Sequence, residues 1–433
     1  MKKNWLIKGF ALLLIMMLLV AGCSQDADEG QGNTNEPDSG ETTDDQDNGT
    51  TEEPAEPLTV KFAAQNDNTP ATQAAIDAFN ASQDQYVVEW VEMTNDSGQM
   101  HDQLLNSLSS GSSEYDVLSL DVVWAGEFAG AGYLEPIDVK MDEAGYSIDD
   151  FNAGSMTSGN YKGIQYTLPF FPDLGLLYYR SDIVSEEDAA KLESGEYTYE
   201  ELGQMAEKYM NESGTSYGFV FQSAQYEGLT VNATEFTSEY KDLSAGLETM
   251  YSFVTSSFVP TDILNFQEGE THTNFEQGNA VFARNWPYQY GRIKGQEDGV
   301  TVTPEQVGIA PLPNGGSVGG WLLSINKSSE NKDGAWEFIK FLAGPEGQKI
   351  MSTGGGYLPG YNALLEDEEV VASNELLSNP GFQNALATTI ARPVSPDYAK
   401  VSDTIQVNVH KYLSSGEGLE EAVQAIEAAL AAE

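Results

Sequence analysis

Cysteine is all but absent: Cys23 is the only one in 433 residues. A single thiol excludes an internal disulfide and any cysteine-clustered metal site. Basic side chains are scarce, 20 Lys and Arg against 68 Asp and Glu, giving a net charge of −48. That imbalance excludes a nucleic-acid binder, which needs cations against phosphates. It equally excludes docking on an anionic membrane through a basic patch. No glycine-rich stretch ends in Lys-Ser or Lys-Thr, so the chain carries no P-loop. His101, His272 and His410 are scattered, without the His-Glu-x-x-His spacing of a zinc site. What is there suffices for packed cores: 40% of residues are hydrophobic and 10% aromatic. The length predicts two or three domains of roughly 150 residues.

The first 57 residues read as an address and a tether. Lys2, Lys3 and Lys8 precede a short apolar run, Phe10 to Val20, too short for an ordinary membrane span. Val20-Ala21-Gly22-Cys23 follows at once and resembles a bacterial lipobox. That resemblance implies a signal peptide over residues 1–22, lipidation of Cys23, and a place on the outer face of a cell membrane, in a Gram-positive bacterium. Residues 24–57 hold 12 acidic side chains and no basic ones, the composition of a solvated, self-repelling linker. The body beyond residue 57 keeps a net charge of −39, an excess expected of a surface adapted to saline or alkaline surroundings.

From Leu58 a strand–helix rhythm begins. Leu58, Val60 and Phe62 alternate as in a strand. Thr69-Pro70 predicts a helix start with Thr69 as its cap, and Ala74, Ala75, Ala78 and Phe79 give that helix a buried stripe. Tyr86–Val91 and Val117–Val123 predict two further strands. Met100, Leu104, Leu105 and Leu108 predict the helix between them, stopped at Gly111. Helices are also predicted over 127–131, 200–210, 333–342 and 417–432. Such alternation implies an α/β fold with a parallel sheet covered on both faces. Ligands then bind beyond the carboxyl ends of the strands, where Gln65, Asp96 and Asp121 fall.

Catalytic signals are weak. Gly315-Gly316-Ser317-Val318-Gly319 and Gly214-Thr215-Ser216-Tyr217-Gly218 both match a nucleophile pattern, but Trp321–Ile325, after Ser317, reads as a strand where an elbow needs a helix. Asp121 and Asp173 form a conceivable carboxylate pair for glycoside cleavage, though among 68 acids such a pair is easily found. Aromatics beside turn residues are more telling: Phe170-Phe171-Pro172-Asp173, Asn285-Trp286-Pro287-Tyr288 and Gly319-Gly320-Trp321 fit no helical stripe. Flat rings of this kind can fold back on a core, or wall a cleft and stack on sugar faces while carboxylates accept from hydroxyls.

In their shared order these motifs resemble the family 1 extracellular solute-binding proteins, the sugar-binding lipoproteins of ABC importers, of trehalose/maltose type. The run from Tyr115-Asp116-Val117 through Trp124 to Leu134, then Leu168–Arg180, Gln225-Tyr226-Glu227-Gly228-Leu229, Trp286-Pro287-Tyr288, Gly319-Gly320-Trp321 and Trp336–Leu342 carry the resemblance. It implies a class II periplasmic-binding-protein-like fold with a cleft between two lobes: 58–173 with 314–360, and 174–313 with 361–433. The chain would cross between lobes near 173–177, 309–314 and 357–365. Carried over residue by residue, Gln65, Asp96, Asp121, Phe171, Asp173, Trp286, Tyr288, Gly320, Trp321 and Arg392 would line the ligand site. Asp121 and Asp173 would accept from hydroxyls, Trp286, Tyr288 and Trp321 would form the walls, and Arg392 would donate. Phe171 stands where such proteins often carry tyrosine, which leaves the sugar open. The family reading further implies a monomer without enzymatic activity, cofactor or metal, handing carbohydrate to membrane permease subunits. A secreted glycoside-acting enzyme, or this fold around a phosphorylated polyol, is the alternative.

Overall fold

The computed structural model describes residues 56–431 except Asn68 and Asp96. Cys23 and Asp96 therefore lie outside the described residues. The strands are Leu58–Gln65 (β1), Tyr86–Met93 (β2), Val117–Asp121 (β3), Asn160–Tyr161 (β4), Ile164–Gln165 (β5), Thr167–Leu174 (β6), Leu176–Arg180 (β7), Tyr217–Val220 (β8), Ala280–Asn285 (β9), Val307–Ala310 (β10) and Val318–Ile325 (β11). They build a five-stranded sheet in the order β2-β1-β3-β11-β6 and a four-stranded sheet in the order β10-β7-β9-β8, while β4 and β5 form a short hairpin.

Each sheet has its own core. The first is covered on both faces, because successive side chains of a strand point to opposite sides. Phe62 and Phe170 face Phe79 and Phe338 on one side, with the ring centroids of Phe62 and Phe338 5.3 Å apart. Ala63, Leu120 and Leu322 face Leu104, Trp124 and Phe128 on the other. The second sheet packs Tyr178, Phe219 and Phe282 against Phe236 and Phe253.

The predicted elements form with small shifts at their ends, where caps decide the boundary. The first helix, Ala71–Ser82, starts one residue later than Thr69-Pro70 implied. Thr69 Oγ1 still accepts from Ala71 N, but Asp67 does more of the capping, accepting from the backbone of Thr69 and Thr72. Helix Ser97–Ser109 ends before Gly111, whose φ of +72° glycine adopts without strain. Helix Tyr199–Tyr209 begins on a capping box of Thr198 and Glu201. Helices Lys332–Ala343 and Leu419–Leu430 also form.

The first sheet is not wholly parallel, which corrects the all-parallel expectation. β1 runs parallel to β2 and β3, but β11 pairs antiparallel with both β3 and β6. The cause is the chain path. β6 leaves this sheet, Gly175 alone separates it from β7 of the second, and β11 returns after β10. A strand that leaves and one that comes back run in opposite senses. A third segment lies alongside these passages: Ile390 N donates to Gly316 O, and Val318 N donates to Ile390 O at 2.7 Å. Beyond it, Val394 and Ser395 press on Gly126 in helix Ala125–Gly130 of the first sheet's cover.

Candidate ligand-binding cleft

A cavity of about 740 Å³ opens between the carboxyl end of β6 and the helix Tyr288–Gly295 that follows β9. Asp67, Phe171, Asp173, Tyr288, Tyr357 and Glu375 are among its lining residues. Its size is that of a small-molecule site. A smaller cavity of about 200 Å³ shares Asp67, Phe171 and Tyr357 with it and adds Gln65 and Trp321. A third, of about 300 Å³, lies at the end of β3 among Asp121, Trp124, Glu227 and Tyr398.

Most residues singled out from the sequence meet here. Gln65 closes β1, and its Oε1 accepts from Ser119 Oγ at 2.9 Å. Phe171 lies against Tyr357, with ring centroids 4.5 Å apart and planes inclined by 32°. Trp321 meets Trp124 edge-on at 5.4 Å. Tyr288 is 40% exposed, and its hydroxyl lies 3.1 Å from His272 Nδ1. The Trp286 ring rests on the guanidinium of Arg284, 4.2 Å from the ring centroid, and its far edge would meet a Cβ at Gly319 at 2.8 Å. Phe171, Tyr288 and Trp321 are packed on one side and line the cavities on the other, whereas Trp286, expected as a wall, is not among the lining residues and lies behind Pro287 and Tyr288, which are.

Two predicted residues are occupied differently from what the motifs implied. Gly320 has a φ of +100°, and a Cβ there would run into Phe171 O and come within 2.8 Å of Asp173 N. Its place is between β11 and β6, next to the bulge at Trp321/Leu322. Arg392 is 4% exposed and already engaged: Nη1 donates to Glu227 Oε1 at 2.7 Å, Nη2 to Val318 O at 3.3 Å, and Nη2 lies 3.5 Å from Asp121 Oδ1. Glu227 is held in turn by Tyr398 and Ser402 hydroxyls. Arg392 thus bridges β3 to helix Glu227–Phe236.

The carboxylates at the strand ends are perturbed. Burial pushes Asp121 up, against the pull of Arg392. Burial pushes Asp173 up to about 7, although Leu174 N donates to it and Arg284 opposes the shift. His101 is moved up: burial works against the charge, but the hydrogen bond to Glu127 at 3.0 Å, the Glu127 charge and neighbouring Asp102 together outweigh it. Ser317, from the nucleophile-like pattern, is buried, and its Oγ donates to Val231 O at 3.3 Å with β11 following directly. That is no strand-to-helix elbow. Among the described residues no group of His, Cys, Asp and Glu could hold a metal ion.

Sequence reasoning missed Tyr357, Asp67 and Glu227 as lining residues. Tyr357 OH donates to Asp67 at 2.7 Å across 290 positions, and no local pattern announces such a pair. Glu227 was visible as part of Tyr226-Glu227-Gly228, and a lone carboxylate before a buried helix was the available signal.

The family model of the bacterial extracellular solute-binding proteins matches residues 63–349. A probable ABC transporter-binding protein of Deinococcus radiodurans is 26% identical over 75% of this chain and 81% of its own length. A maltotriose-binding protein of Pyrococcus abyssi is 27% identical over 67% of this chain and 64% of its own. Among solved structures, maltose-bound MalE3 of T. maritima superposes with a TM-score of 0.71 at 28% identity, over 86% of this chain and 99% of that one. The match over most of the described body, on two linked sheets with a cleft beside their passages, makes this chain a member of the bacterial extracellular solute-binding protein family, with its two-lobed periplasmic-binding-protein fold.

Proposed function

We propose that the protein is the carbohydrate receptor of an ABC importer, and that it acts by binding and not by catalysis. One observation carries the reading: aromatic faces from four separate segments, Phe171, Tyr288, Trp321 and Tyr357, line adjoining cavities together with Gln65, Asp67 and Asp173. Rings stack on the C–H faces of sugars while amides and carboxylates take the hydroxyls. Maltotriose and maltose, named for two of these relatives, agree with a disaccharide or a malto- or gluco-oligosaccharide. The lobes are 58–173 with 314–360, and 174–313 with 361–433. A ligand bridging them stabilises the closed form by its difference in affinity for the two states. Lipidation at Cys23 holds the receptor on the outer membrane face, and the closed form docks on permease subunits.

A thermal-shift screen against mono-, di- and oligosaccharides tests this. A cognate sugar raises Tm by mass action, and no rise with any member of a broad panel sinks the reading. Trp321→Ala is expected to weaken binding by about 1–2 kcal/mol, roughly 5- to 30-fold, measured by calorimetry. Unchanged affinity would place the sugar elsewhere.

Asp173 makes binding depend on pH. Its carboxylate accepts more strongly from hydroxyls when ionised, since the protonated acid turns one oxygen into a donor, and its folded-state value is about 7. Affinity is therefore expected to rise from pH 6 to pH 8, by about tenfold at most, and Asp173→Asn to flatten the profile. The sign for stability is opposite. A folded value above the unfolded one means the folded state holds the proton longer, so stability falls as pH rises from about 4 to about 7. A flat affinity profile in the unsubstituted protein would remove Asp173 from the site.

A further inference from the structure

Arg284 is a charged side chain inside a strand that is buried throughout. All six residues of β9 are buried, and Arg284 is 1% exposed. Its Nε and Nη2 donate to Glu235 Oε2 and Oε1 at 2.9 and 2.5 Å, and Glu235 is fully buried. A buried pair gains little net stability, because desolvation cancels most of the attraction. Its neighbours are therefore the informative part.

On one side the pair touches both passages between the sheets. Glu235 Oε1 also accepts from Ser317 N at 2.9 Å, immediately before β11. A Cβ at Gly175, between β6 and β7, would collide with Glu235 Oε1 and lie 2.5 Å from Arg284 Nη2. Gly175 N donates to Ser317 O at 3.0 Å, so the two passages are tied to one another as well. On the other side the guanidinium lies under Trp286.

We infer that Arg284 is a positioning residue of the cleft: clamped by Glu235, it fixes the Trp286 ring and the backbone at Gly175 and Ser317 as one unit. Pro287 and Tyr288, which follow Trp286 directly, line the cavity, so the cleft lining and the joint on which the lobes turn then move together. A flat guanidinium can do both at once, presenting its edge to a carboxylate and its face to a ring, which an ammonium cannot. The consequence for ligand affinity rests on the cleft being the sugar site; the fixation of the ring does not.

The test removes both charges together, Glu235→Gln with Arg284→Met, so that no unpaired charge remains and an amide oxygen still faces Ser317 N. Without ligand, the protein is labelled with 5-fluorotryptophan and the Trp286 line is assigned through Trp286→Phe. The paired variant is expected to shift or broaden that line while those of Trp90 and Trp336 stay. An unmoved Trp286 line overturns the inference. With maltose as probe, the paired substitution should weaken binding about fivefold in the native background and less than about twofold in a Trp286→Ala background. Equal losses in both backgrounds would mean that the pair acts through general stability, and would overturn it. If the unsubstituted protein binds neither maltose, maltotriose nor trehalose, the sugar reading falls, and the fluorine spectrum still decides the role of Arg284. If the paired variant shows no cooperative unfolding, Arg284→Lys, which keeps a charge for Glu235 but loses the flat face, carries the same two measurements.

Discussion

Arg284→Met alone is expected to lower the unfolding free energy by about 3–5 kcal/mol, far more than the paired substitution with Glu235→Gln. The single change leaves the Glu235 carboxylate in the interior with Ser317 N–H as its remaining partner in the structure. Desolvation of that carboxylate is then no longer offset by the two guanidinium bonds. The paired change removes the charge from both sides, and packing around a methionine stem resembles that around the aliphatic part of arginine. Urea denaturation of both variants beside the native protein measures the difference. A single variant as stable as the pair would show that water reaches Glu235 and that the strand is less closed than it looks.

Gly320→Ala is expected to cost about 2–5 kcal/mol, which combines strain at positive φ with overpacking between strands. The φ of +100° is outside what alanine adopts readily, and the methyl would press on Phe171 O and Asp173 N. Relief requires β11 to move away from β6, and the bulge at Trp321/Leu322 is the place where it would give. Trp321 would turn with it. The variant should therefore also lose sugar affinity, although no atom of Gly320 need touch the ligand. A loss in urea stability below about 1 kcal/mol would mean that the strands yield without strain.

The two positions explain which parts of the molecule were readable from its sequence. Strand and helix order in the first lobe followed from periodicity, since Val60, Phe62 and Ala64 alternate over one core and Met100, Leu104 and Leu108 repeat over another. Gly320 was singled out beside Trp321, but a motif does not say whether a glycine serves a ligand or a backbone. That depends on β6, which lies about 150 positions earlier. The resemblance makes Arg392 a donor to the ligand, and in the fold three partners from distant segments take up its two Nη atoms. No motif points to Arg284. The signal was nevertheless present, because an arginine ends the apolar run Ala280-Val281-Phe282-Ala283 inside a buried strand. A charge in a buried strand requires a partner, and only the fold could name Glu235. The sense of β11 was missed for the same reason: strand direction follows from the path of the chain, and local pattern carries no trace of it.

That same strand governs the order in which the molecule can be made. β11 lies between β3 and β6, yet it is synthesised about 140 residues after β6. At ribosomal rates of about 5–20 residues per second, that is a wait of about 7–30 s. Until residues 318–325 exist, the facing edges of β3 and β6 have no neighbour. No fragment ending before them can complete the first sheet, and two bare strand edges are a template for pairing with other chains. A long interleaved topology of this kind folds slowly. Truncated or stalled chains of this protein are therefore natural clients for a chaperone, and the first lobe cannot be obtained by simply cutting the gene at the first passage.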